Sequence, residues 1–111
     1  MRAHLAWLAF GAALASCSSQ ADKQLAAVKS SRSVLAEWAL AERQGAQGRV
    51  TATYLAQMRE HARDELKSAQ RRLPKKAAAA LVPLLETPPD AASLERADAA
   101  LAPMEKQLES S

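Results

Sequence analysis

Leu55, Met58, Ala62, Leu66, Ala69 and Leu73 follow one another at steps of 3, 4, 4, 3 and 4 residues. Eighteen residues in five turns is the α-helical period, so this segment is a helix with one apolar face. Leu94, Ala97, Leu101, Met104 and Leu108 step by 3, 4, 3 and 4 and predict a second such face. Composition then closes off the alternatives. From Ser18 onward the chain has 12 Leu, 4 Val, 21 Ala, and no Ile or Phe. Ala, Glu, Lys, Leu and Arg supply 55 of those 94 residues, a mixture found in long helices and coiled coils. A Rossmann domain, a barrel and a β-sandwich are excluded. The expected fold is all-α: an antiparallel helical hairpin extended by one or two shorter helices into a loose three- or four-helix bundle. Large apolar side chains are few, and a domain of about 100 residues is already marginal on surface-to-volume grounds.

The breakpoints are legible. Ser19 and Asp22 fit a capping box, opening a first helix over residues 20–44 with an apolar face of Leu25, Val28, Leu35 and Trp38 around small Ser31. Gly45 and Gly48 supply left-handed backbone that ends it and turns the chain. Thr51 caps the second helix, with Val50 stapled onto Leu55. Pro74 stops it. A short third helix follows over residues 75–86, and Thr87-Pro88-Pro89 breaks it. Asp90 caps a last helix over residues 91–108, in which Pro103 predicts a kink or local break. A short connection makes the first two helices antiparallel neighbours, bringing Trp38 and Tyr54 together as a candidate ligand cleft at the hairpin tip.

The N-terminus reads as an address. Met1-Arg2-Ala3-His4 is basic, Leu5 to Ala15 is an uncharged apolar run, and Leu14-Ala15-Ser16-Cys17 follows. Eleven apolar residues are too few to span a hydrocarbon core of about 30 Å. The order of basic, apolar and small residues is that of a secretory signal. Leu14-Ala15-Ser16-Cys17 resembles the lipobox of bacterial lipoproteins, and the resemblance covers residues 1–17 only. It implies a signal peptide over 1–16, a diacylglyceryl group on Cys17, cleavage before it, and a mature lipid-anchored helical domain over 17–111. Ser18, where Asp would favour the inner membrane, implies the periplasmic face of the outer membrane. Two or three acyl chains anchor stably where one does not. Cys17 is the only cysteine, so no disulfide supports the fold.

Candidate chemistry is sparse. After Cys17 there is one histidine, His61, and the single thiol is expected to be acylated, so nucleophilic catalysis lacks its parts and no enzyme is expected. Glu60, His61, Asp64 and Glu65 share a helix, but they read as ordinary solvated pairs rather than a metal site. No cofactor is implied.

The most distinctive charged feature is a row of cations. Arg59, Arg63, Lys67, Arg71 and Lys75 recur every four residues, thickened by Arg72 and Lys76. One reading is an anionic partner: lipid phosphates, a cell-wall carboxylate or an acidic protein. The other is a solvated face whose cations complement the C-terminal end of the helix dipole. Nucleic acid is disfavoured by the exported address and by the shortage of aromatics for stacking. The functional expectation is a small exported lipoprotein with a non-catalytic, partner-binding or structural role in the envelope. The alternatives are a periplasmic module that senses a small ligand or metal ion, and a self-associating coiled-coil spacer.

Overall fold

A computed structural model describes residues 19–110 as four helices and no strand: α1 (Ser19–Ala46), α2 (Ala52–Gln70), α3 (Lys75–Glu86) and α4 (Ala91–Glu109). The fold is all-α, a helical bundle. The expected signal segment and Cys17 fall outside the described residues. None of the described helices is long and apolar enough to cross a membrane.

Helix α1, about 42 Å long at 1.5 Å per residue, is the shared partner of α2 and α4, while α3 closes against both of those. The buried face of α1 is Val28, Ser31, Leu35 and Trp38. Its Val28, Leu35 and Trp38 belong to one core cluster with Ala62 and Leu66 of α2, Ala77, Leu81 and Leu84 of α3, and Leu94, Ala97 and Leu101 of α4. Those on α2 and α4 lie on the faces marked by the 3–4 stepping. Small Ser31 lets the neighbouring helices approach, yet its Oγ has no hydrogen-bond partner among the described residues.

Several boundaries differ from expectation, each for a physical reason. Ser19 is already helical rather than capping, and α1 runs two residues beyond Gln44. Gly45 stays inside α1 in ordinary helical backbone. A Cβ there would stand 2.6 Å from Leu55 Cδ2, so this glycine serves close approach of α2. Among the described residues only Gly48 is left-handed, at φ +70°. Arg49 N donates to Gln44 O at 2.8 Å and Gly48 N to Gly45 O at 3.1 Å, the paired bonds of a Schellman stop. Gly48→Ala meets no steric obstacle, because nothing lies within 4 Å of the added Cβ. Its cost is the left-handed backbone alone, about 1 kcal/mol. A drop of roughly 4–8 °C in the thermal midpoint is expected; an unchanged midpoint would show that the turn does not need this conformation.

Thr51 and Asp90 cap as expected, accepting from Tyr54 N at 3.1 Å and Ser93 N at 2.8 Å. Helix α2 ends at Gln70, three residues before Leu73, because a residue preceding proline is pushed out of helical backbone. Leu73 is still buried. Pro83 and Pro103 sit inside α3 and α4 without interrupting them. Both prolines are exposed, so water can take the carbonyl that each leaves unpaired. The local break expected at Pro103 is absent.

Candidate functional site

Contacts along α1 set the register of the bundle. Leu55 lies against Gly45, Arg59 pairs with Glu42, and Arg63 stacks over Trp38 with its guanidinium carbon 5.8 Å from the ring centroid. Helix α2 therefore descends α1 antiparallel. Helix α4 does the same on another side: Arg43 pairs with Glu95, Arg32 Nη1 with Glu105 at 3.4 Å, and Lys29 with Glu109 at 3.7 Å. Arg32 Nε also holds Asp98 at 2.7 Å. The ends are thereby defined. One carries the Gly48 turn and the start of α4. The other carries the start of α1, the α2–α3 corner and the end of α4.

This register corrects the placement of Trp38. Tyr54 lies near the turn, level with the last residues of α1, whereas Trp38 lies two turns lower, opposite Arg63. Trp38 is fully buried and Tyr54 is 47% exposed. The two do not form a cleft.

Helical geometry also divides the cation row. At 100° per residue the centre of the α2 face made by Ala62, Leu66 and Ala69 lies about 50° from Arg59, about 90° from Arg63, about 130° from Lys67 and about 170° from Arg71. Arg59 and Arg63 accordingly flank the core. Arg59 donates from Nε to Glu42 Oε2 at 2.7 Å and from Nη2 to Oε1 at 2.8 Å. Trp38 Nε1 adds a third bond to Glu42 Oε2 at 2.9 Å. The Arg59 guanidinium first, and the indole N–H after it, hold the Glu42 carboxyl below the usual carboxylate range against the opposing effect of burial. Arg63 covers the Trp38 ring, a cation–π contact, and its buried Nε has no hydrogen-bond partner among the described residues. Lys67 and Arg71 point to solvent. Lys75 belongs to a different helix, beyond the bend at Pro74.

The row is thus two features. Its first two members hold the hairpin together. Its remainder joins Arg72 and Lys76 at the α2–α3 corner, where all five cations are exposed and none has an ion-pair partner among the described residues. Between Glu65 and Glu86 the chain carries no acidic residue at all.

The corner adjoins the first turns of α1. Lys23 and Arg72 line one groove together with Glu65. A cleft of about 480 Å³ beside it is lined by Gln24, Pro74, Lys75, Lys76, Met104 and Leu108 among others. Its walls are mostly apolar below a rim of lysine, and it converges on no nucleophile, base or metal-ligand set. His61 is exposed on α2, and no group of three or more His, Cys, Asp or Glu among the described residues could hold a metal.

No protein family, curated protein or solved structure matches this chain.

Glu42 did not stand out as a sequence position, although Trp38 and Glu42 are spaced i, i+4. It is the acid to which the hairpin's buried aromatic and its first stripe arginine both donate.

Proposed function

We propose that this chain is an exported bacterial lipoprotein, held at the membrane by lipid on Cys17, with a non-catalytic role in the envelope. It acts by presenting the helical bundle to another envelope component. The observation that carries this is Leu14-Ala15-Ser16-Cys17 placed directly after the apolar run Leu5 to Ala15. A second observation supports it: α1 is already helical at Ser19, two residues past Cys17. With no linker between the anchor and the bundle, the anchored body stands against its membrane. Ser18 favours the periplasmic face of the outer membrane under the sorting rule of the lipoproteins it resembles.

Radioactive or clickable fatty acid fed to cells expressing the full chain should label it, and Cys17→Ala should abolish the label and leave the longer precursor. Equal labelling of the two proteins would sink the lipoprotein reading. In-cell crosslinking of the labelled form then identifies the component it meets.

A further inference from the structure

We propose that the α2–α3 corner, together with Lys23, is a membrane-contact surface that seats the bundle end-on upon anionic phospholipid headgroups. The orientation rests on the lipid anchor proposed above; the surface itself does not.

Three observations carry it. The first is position. Cys17 precedes α1 by two residues, so any anchor there emerges at the end of the bundle that holds Lys23 and the corner. The second is charge. Lys23, Arg71, Arg72, Lys75 and Lys76 are exposed at this end and have no ion-pair partner among the described residues, against Asp22, Glu65 and the Lys29-paired Glu109 as the nearby acids. Elsewhere several cations are matched, while Arg49 and Arg96, exposed and without an ion-pair partner among the described residues, stand at the opposite end. Lys29, Arg32 and Arg43 are bound to α4 carboxylates, and Arg59 to Glu42. The third concerns what the helix dipole can account for. Lys67, Arg71 and Arg72 lie at the C-terminal end of α2, where cations are favoured. Lys75 and Lys76 open α3, which has no acidic residue in its first turn and no side-chain cap. Cations are disfavoured at that end of a helix, so fold electrostatics gives no reason for the pair. An anionic surface gives one.

The occupant is a lipid surface rather than a single ligand because the cations are spread over three elements and converge on no buried point. Anchor and basic patch would then be the two signals that together hold a protein stably at a membrane. In this orientation α1 rises about 42 Å from the headgroups and offers the Gly48 turn and Tyr54 to whatever the bundle meets.

The test uses the full chain carrying Cys17→Ser in every arm, so no lipid contributes and the apolar run 5–15 is common to all. Partition is measured by co-sedimentation with phosphatidylcholine vesicles and with the same vesicles doped with phosphatidylglycerol. The anionic vesicles should be preferred at low salt, and the preference should shrink at physiological salt, where screening shortens the reach of the surface charges. Lys75→Gln with Lys76→Gln should weaken anionic binding about thirtyfold, at about fivefold per cation near such a surface. Arg49→Gln with Arg96→Gln, at the opposite end and with the same net charge, should leave it unchanged. Lys75→Arg with Lys76→Arg should restore it, which separates charge from any folding defect read by circular dichroism. Equal losses in the two Gln pairs, or a parent chain indifferent to phosphatidylglycerol, would overturn the proposal and point to an acidic protein or plain solvent at this corner. Fatty-acid labelling at Cys17 is a separate readout, so the anchor and the surface stand or fall independently.

Discussion

Trp38→Ala should destabilise the bundle by about 3–5 kcal/mol, the range for emptying a large aromatic site in a packed core. Among the described residues Trp38 is the largest fully buried side chain, and the rest of the core is Leu, Val and Ala with one Ser. Few neighbours are large enough to close the space. The loss reaches beyond volume, because the ring is also the floor on which Arg63 lies and the source of an N–H bond to Glu42. For a small domain whose whole stability is about 5–15 kcal/mol, this is a large share. Trp38→Phe keeps a ring face for Arg63 and most of the apolar volume but removes the indole N–H, so it should fall between wild type and Trp38→Ala. Urea unfolding followed by far-ultraviolet circular dichroism measures both. A loss below about 1 kcal/mol for Trp38→Ala would mean that α1 and α2 do not pack on this residue.

The 3–4 stepping identified the buried faces because helix period is a local property that tertiary packing uses without altering. Leu66, Leu94 and Leu101 are fully buried where the stepping puts them. Thr51, Asp90 and Pro74 mark helix ends through backbone chemistry that is equally local. What pattern alone left unread was partnership. Gly45 and Gly48 look alike as letters, and only the approach of Leu55 to one and the left-handed backbone of the other separate their tasks. The cation row divides for a related reason. Four-residue spacing keeps neighbours close but drifts 40° per step, enough to carry the row from the core edge at Arg59 to open solvent at Arg71. That drift is legible in the sequence, measured against the face of Ala62, Leu66 and Ala69. The pairing with Glu42 is not, because it depends on the register across the Gly45–Gly48 turn.

That division also determines which substitutions report on function. Neutralising Arg63 with Lys67 and Arg71 would combine a residue stacked on Trp38 with two exposed ones, so lost binding and a loosened hairpin would be indistinguishable. Lys75 and Lys76 are free of that confusion, since both are exposed and neither has an ion-pair partner among the described residues.

Glu42→Ala should cost about 2–3 kcal/mol at neutral pH, and the cost should fade in acid. Removing the carboxylate leaves the Trp38 N–H buried without its acceptor, a loss of about 1–3 kcal/mol. The Arg59 contribution is smaller than its two short bonds suggest, because that side chain is 42% exposed and water can replace much of what it loses. The sign of the pH dependence follows from the direction of the shift. Arg59 and then Trp38 hold the Glu42 carboxyl below its ordinary value in the folded chain. The stabilisation it supplies is therefore complete above the unfolded value of about 4.3 and disappears as pH falls through the lower folded value. Glu42→Gln keeps an acceptor for the indole N–H while abolishing the titration, so it isolates the charge. The stability gap between wild type and Glu42→Gln should be widest at about pH 7 and should close as the pH drops below about 4. Other carboxylates, Asp90 among them, titrate in both proteins, and their contributions cancel in the difference. Urea unfolding of the pair at several pH values measures the gap. A gap that stays constant into acid would show that Glu42 acts only through its shape and its bond to Trp38, and that the ion pair with Arg59 contributes nothing to holding α2 against α1.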